Sequence, residues 1–311
     1  MGSIETGSNP AVARHRAARG KGAGSRPVGD PQAAFYQENG YLVAPNLISQ
    51  AEVERLWSDT ADLARGKYAC EGLETLPLEM SNDEALRRLL CIHQPHYVSP
   101  VMLEFVKHPG IAEVLTRICA PNVKCMQSML FVKPPGFQGQ AWHQDEFYIP
   151  TRDRSLTAAW IALDDATLEN GCLFVIPGSH RKGYLRPQKP HEDPDEFDFA
   201  GQSYGFDDSG EVPVQVKAGS VVFFHGYLLH RSRKNRSNRY RRALVNHYMN
   251  AYSFLPWSVK EGEHVGMADR RCVVLVAGED PYAWKGYEPP PNKVWLRTCK
   301  AVEESRESKG S

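Results

Sequence analysis

The chain is 311 residues long, carries 37 Lys plus Arg against 37 Asp plus Glu, and is 41% apolar. Zero formal charge argues against a dedicated nucleic-acid binder or a polybasic membrane protein, and no apolar run reaches the roughly 18 residues of a membrane-spanning helix. Seven cysteines, an odd number without a Cys-x-x-Cys spacing, fit reduced intracellular thiols better than a disulfide framework or a structural zinc site.

Residues 1–29 are rich in Gly, Ala, Arg and Ser and have no apolar h-region, so no secretory signal is expected. Residues 6–29 hold no acid, while Arg14, Arg16, Arg19, Lys21 and Arg26 are basic. A disordered tail is the expectation; organelle transit segments share this composition. The expected location is intracellular and cytoplasmic, with organelle targeting by the Arg-rich N-terminus as the alternative. Asp30 can cap a helix with Pro31 at its first position and Gly40 at its end. Tyr41-Leu42-Val43 reads as a strand. Ser49 opens a second helix, with Glu52 completing a capping box and Ile48 and Val53 spaced as a hydrophobic staple. Its apolar face is Val53, Leu56, Trp57, Thr60, Leu63 and Ala64. A third helix starts near Ser99-Pro100, pauses at Pro109-Gly110 and ends near Cys119. These helices can cover a sheet.

From Val123 the pattern changes to short runs rich in β-branched and aromatic residues: 123–133, 156–163, 172–176, 212–216, 220–224 and 243–249. Gly, Pro, Asn and Asp bound them. Many short strands without intervening helices predict a mainly β sandwich or jelly roll with flanking N-terminal α-helices. One domain over 30–277 is expected. The connection at 181–211 is too long for an ordinary loop and is expected to be a lid. It holds eight acids between His191 and Glu211, with Phe197, Phe199 and Tyr204 among them. Residues 278–311 read as a C-terminal extension whose Tyr282, Trp284, Tyr287 and Trp295 are expected to pack back on the core.

His143-Gln144-Asp145 follows the first strands of the β region, and His230 follows the run ending at Phe224. Two histidines and one carboxylate on one face match the set that holds non-heme Fe(II), with positions left open for a co-substrate and O2. At a strand edge, residues i and i+2 face the same side. The short pattern alone is weak, since about one His-x-acid pair is expected by chance. A second one, His191-Glu192-Asp193, has no strand frame and reads as solvated loop. The bland alternative for His143 and Asp145 is a surface histidine near a loop aspartate. His225 competes with His230 as the distal ligand.

The wider pattern resembles the phytanoyl-CoA dioxygenase family of Fe(II)/2-oxoglutarate oxygenases, especially its domain-containing members, over about residues 32–256. The resemblance rests on Gln127-Ser128-Met129 with Lys133-Pro134-Pro135, on Trp142-His143-Gln144-Asp145, and on the run from Trp160 through Asp164-Asp165-Ala166-Thr167-Leu168-Glu169-Asn170-Gly171-Cys172. Ile176-Pro177-Gly178-Ser179-His180, His230-Arg231-Ser232 and Arg241-Arg242-Ala243 complete it.

That resemblance implies a double-stranded β-helix, with His143, Asp145 and His230 holding Fe(II). It implies Arg241 on the distal carboxylate of 2-oxoglutarate, where a planar guanidinium suits a carboxylate, with Ser232 adding a hydroxyl. Met129, Gln127 and Trp160 would line the co-substrate pocket; core packing is the plainer role for Met129 and Trp160. Arg239 is the second choice for Arg241, and the remaining cations of the 231–242 run read as solvated. Arg87 or Arg88 is a candidate for a further co-substrate contact. The implied reaction hydroxylates or otherwise oxidises a C–H bond of a small molecule and releases succinate and CO2. Asp145 argues against halogenation, which relatives of this kind perform with a small residue there. The acids of the lid predict poor acceptance of a highly anionic CoA ester. The competing reading is a non-catalytic metal-binding jelly roll that senses or binds. No nucleic-acid or membrane partner is expected, and the oligomeric state is left open.

Overall fold

The computed structural model describes residues 30–256 and 269–298; the expected N-terminal tail and the last residues of the extension lie outside the described residues. In chain order the elements are α1 (Pro31–Asn39), β1 (Tyr41–Ala44), α2 (Gln50–Ala64), α3 (Asn82–Arg87), β2 (Leu89–His93), α4 (Pro100–Val106), α5 (Pro109–Ile118), β3 (Val123–Phe131) and β4 (Gln140–His143). There follow β5 (Thr157–Ala162), β6 (Leu173–Val175), β7 (Gln188–Lys189), β8 (Gln202–Ser203), β9 (Val212–Val214), β10 (Val221–His225), β11 (His230–Ser232), β12 (Ala243–Asn250), β13 (Val274–Ala277) and β14 (Trp295–Thr298). No helix among the described residues is long and apolar enough to cross a membrane.

Capping sets the helix starts. The Asp30 carboxylate accepts from the backbone of Gln32 and Ala33, and α1 ends at Gly40 in the left-handed conformation. Ser49 and Glu52 form the expected capping box on α2. The same box, Ser81 with Glu84, starts α3, which the sequence reading passed over because six residues are too few to show a helical period. The third expected helix is two, α4 and α5, since Pro109 begins a new first turn capped by the His108 side chain.

Two antiparallel sheets face each other. The larger runs β1-β10-β5-β12-β3-β2-β14 with β13 beside β3; the smaller runs β4-β11-β6-β9. Alternation sorts the side chains. Trp160 of β5, Phe224 of β10 and Val245 of β12 point inward to meet Trp142, Phe174 and Val175 of the smaller sheet. Their neighbours Ile161, Phe223 and Leu244 point outward against the helices, with Leu56, Phe105 and Leu115. The larger sheet is therefore buried on both faces, which is why its central strands read as nearly unbroken apolar runs.

β3 does not alternate throughout, as the sequence suggested. His247 pairs with Gln127 while Tyr248 pairs with Cys125, so Met126 is an extra residue. This bulge turns Gln127 and Met129 inward, leaving Cys125 in the outer core. Residues beyond Gly278 are also more than an appended tail. β14 pairs with β2 at the sheet edge, whereas Trp284, Tyr287 and Trp295 are exposed rather than packed on the core.

Candidate active site

Neighbouring strands of the smaller sheet bring the two candidate histidines together. His143 ends β4 and His230 begins β11, and the two are direct cross-strand partners, with ring centroids 4.1 Å apart. Asp145 opens the short 3-10 turn after β4. Its Oδ1 lies 3.6 Å from the Nε2 of each histidine, and the donor atoms of all three residues lie within 4.8 Å of one another. All three side chains are buried.

The back nitrogens fix the chemistry. His143 Nδ1 lies 2.8 Å from the Ala141 carbonyl oxygen, and His230 Nδ1 lies 3.0 Å from that of Leu228. Only an N–H can make that contact, so each ring carries a proton on Nδ1 and turns its Nε2 toward Asp145. This is the arrangement that orients metal-ligating histidines. Burial first, and then the neighbouring His230, hold the His143 pKa down to about 3, so the ring is neutral and free to ligate. Burial pushes the Asp145 carboxyl upward, but the charges and hydrogen bond of His230, His247 and His143 outweigh it, so the group lies below the usual carboxylate range. Two imidazole nitrogens and one carboxylate oxygen fit Fe(II).

His247, on β12, is a residue the sequence did not single out. Its Nε2 lies 3.1 Å from Asp145 Oδ2, so one carboxylate oxygen is held from behind and the other faces the histidines. The link spans 102 positions of sequence and follows from the inward facing of β12. His225, the competing ligand, lies apart from this cluster, where its Nδ1 accepts from the Tyr227 amide.

The cluster opens into a cavity of about 420 Å³, lined among others by Gln127, Met129, Trp160, Ser232 and Arg241, all five expected co-substrate residues. Arg241 precedes β12 instead of starting it. It is 4% exposed, its guanidinium stands 5.5 Å from the Trp160 ring centre, and its Nε is buried without a partner. The rest of the basic run differs from the expected solvated face. Arg231 and Arg233 pair with Glu211, Lys234 with Asp195, Arg236 with Glu196 and Arg242 with Asp164. Arg239 is exposed. Among the described residues of this run, Arg241 alone is buried and lacks an acidic partner. Arg87 and Arg88 lie on the surface, paired with Asp83 and Glu74, and do not reach the cavity.

Those pairings also change the reading of the acidic segment at 181–211. Gln188, Asp198, Phe199, Ala200 and Gly201 wall the cavity, and backbone bonds between Gly139 and both Glu196 and Asp198 tie the segment to the start of β4. Asp195, Glu196, Asp198 and Glu211 are all neutralised by cations. This compensation weakens the repulsion expected toward a CoA ester without removing every acid from the segment. The His191-Glu192-Asp193 decoy stays outside the metal cluster; Glu192 and Asp193 are exposed.

Asp198 is 5% exposed and pairs at 2.6 Å with Arg297 of β14, which also lines the cavity and stacks on Phe199. Arg297→Ala should leave the buried Asp198 charge uncompensated, at a cost of about 3 kcal/mol. The expected result is a lower urea midpoint and faster proteolytic nicking within 181–211; unaltered values would show that the pair contributes nothing.

The sequence model of the phytanoyl-CoA dioxygenase family matches residues 36–243. A probable phytanoyl-CoA dioxygenase of Caenorhabditis elegans is 31% identical over 240 residues, covering 70% of this chain and 74% of that protein. The peroxisomal phytanoyl-CoA dioxygenase of Bos taurus is 30% identical over 238 residues, covering 71% and 68%. Among solved structures, EctD from S. alaskensis with 2-oxoglutarate and 5-hydroxyectoine superposes with a TM-score of 0.60 at 22% identity, covering 88% of this chain and 92% of that one. The last likeness bears on fold and agrees with the jelly roll. Arg297 lies outside the matched span.

Proposed function

The chain belongs to the phytanoyl-CoA dioxygenase family and is an Fe(II)/2-oxoglutarate-dependent oxygenase; from that premise we propose that His143, Asp145 and His230 hold the iron and that Arg241 and Ser232 hold the distal carboxylate of 2-oxoglutarate. The observation that carries this assignment is the three-donor cluster with both Nδ1 atoms tied to backbone carbonyls. Bound iron with 2-oxoglutarate and O2 supplies the oxidising chemistry, in which 2-oxoglutarate leaves as succinate and CO2 while a C–H bond of a small molecule is oxidised.

The protein's own part is orientation and exclusion of water. His143 and His230 offer Nε2 because their other nitrogens are committed, and His247 fixes which Asp145 oxygen faces the metal. Arg241 offers a buried guanidinium whose Nε has no partner, and Trp160 and Met129 line the same cavity. Leu90, Ile149, Phe199 and Phe224 add apolar surface to the lining, which limits water near a reactive oxidant. A cavity of about 420 Å³ must hold the co-substrate as well, so the substrate is small or presents a slender reactive end. The intact ligand set with an unpaired Arg241 supports turnover over a purely binding role.

Anaerobic addition of Fe(II) and then 2-oxoglutarate to the full chain should produce a visible charge-transfer band. Admitting air should then release succinate slowly even without a primary substrate. A chain that gives neither band nor succinate would contradict the assignment.

A further inference from the structure

Lys133 lies two residues beyond β3, is 1% exposed, and lines the same cavity as Arg241 and Ser232. Its Nζ donates to the Arg233 carbonyl oxygen and reaches Ser232 Oγ at 3.5 Å. Both acceptors are neutral, and an ammonium has three donors. The head group fits there because Gly171 faces it: a Cβ at that position would come within 2.5 Å of Nζ.

Neither Lys133 nor Arg241 forms an ion pair among the described residues, whereas Arg231, Arg233, Lys234, Arg236, Arg242 and Arg297 around them all do. Two neighbouring cations taken out of water without a counter-charge destabilise each other and the fold. Burial, and after it the charge of Arg241, push the Lys133 amine well below its usual range. An anion between them removes that cost. Among the described residues the nearest acids, Asp198 and Glu196, are already paired with Arg297 and Arg236.

Resting on the function proposed above, we propose that Lys133 and Arg241 share one carboxylate, the distal carboxylate of 2-oxoglutarate, with Ser232 beside them. Lys133 is then a specificity-determining residue for a dicarboxylic co-substrate. One arginine suffices to attract a carboxylate. Two buried cations go further, because a 2-oxo acid ending in a methyl group leaves both uncompensated.

The test is an anaerobic titration of the Fe(II)-loaded full chain, read by the charge-transfer band, with 2-oxoglutarate and with 2-oxopentanoate, which lacks the distal carboxylate. A hydrogen bond to a charged group is worth enough that Lys133→Met should weaken 2-oxoglutarate binding about tenfold or more. Binding of 2-oxopentanoate by the same variant should change far less, which also shows that the variant is folded. Equal loss for both acids would mark Lys133 as structural and overturn the inference, as would unaltered 2-oxoglutarate affinity. No band in the wild-type chain would instead overturn the proposed function, and this inference with it.

Discussion

Asp145→Ala is expected to abolish turnover and strip the chain of Fe(II). The two imidazoles that remain carry no negative charge, so the variant site has no anionic ligand to offset a divalent charge. The carboxylate is also the group that both Nε2 atoms face, at 3.6 Å each, and the group His247 holds in place. Loss of an outer partner of a metal ligand typically costs about 10–100-fold in affinity or activity. Loss of the ligand itself should exceed that range. The measurements are iron content after desalting and succinate formation under saturating 2-oxoglutarate. The melting temperature of the metal-free protein separates metal loss from unfolding, and it should move little. Full activity in the variant would reject the metal assignment.

The strands and their faces were readable because burial on both sides of the larger sheet leaves a dense apolar signal. Trp160, Phe223 and Val245 lie in runs that no exposed loop would carry. The candidate metal residues were readable because two of them, His143 and Asp145, stand two positions apart and the third follows a recognisable strand. His247, Lys133 and Arg297 were not, since each acquires its role through a partner far along the chain: Asp145 at 102 positions, Arg233 at 100 and Asp198 at 99. Strand register creates those contacts, and single-sequence periodicity carries no register between distant strands. β2 escaped because Leu89-Leu90-Cys91-Ile92 is a short apolar run without alternation, which strand and helix produce alike. The basic run from Arg231 to Arg242 shows the same limit. Its charges look equivalent in sequence, and only burial together with the pairing of its neighbours with acids leaves Arg241 exceptional.

That exception predicts effects of opposite sign on stability and on binding. Burial lowers the Arg241 pKa from its ordinary value of 12.5 to about 10. A base whose folded pKa is depressed penalises the folded state at every pH below that pKa, and relief comes only as pH rises from about 10 toward 12.5. At neutral pH the empty protein therefore carries the full penalty, on the order of 3 kcal/mol. Arg241→Met removes it and forfeits the contact with Trp160, worth about 1–2 kcal/mol. The variant should be no less stable than the wild type when empty, and up to about 2 kcal/mol more stable by urea denaturation. Its affinity for 2-oxoglutarate should fall about 100-fold, the scale of a lost charge-assisted bidentate contact. Arg241→Lys keeps the charge without the planar fork and should fall between the two. Millimolar 2-oxoglutarate should raise the urea midpoint of the wild type and leave that of Arg241→Met nearly unmoved. If the Met variant is destabilised when empty and binds 2-oxoglutarate normally, Arg241 is a packing residue, and the cavity's anion must be held elsewhere.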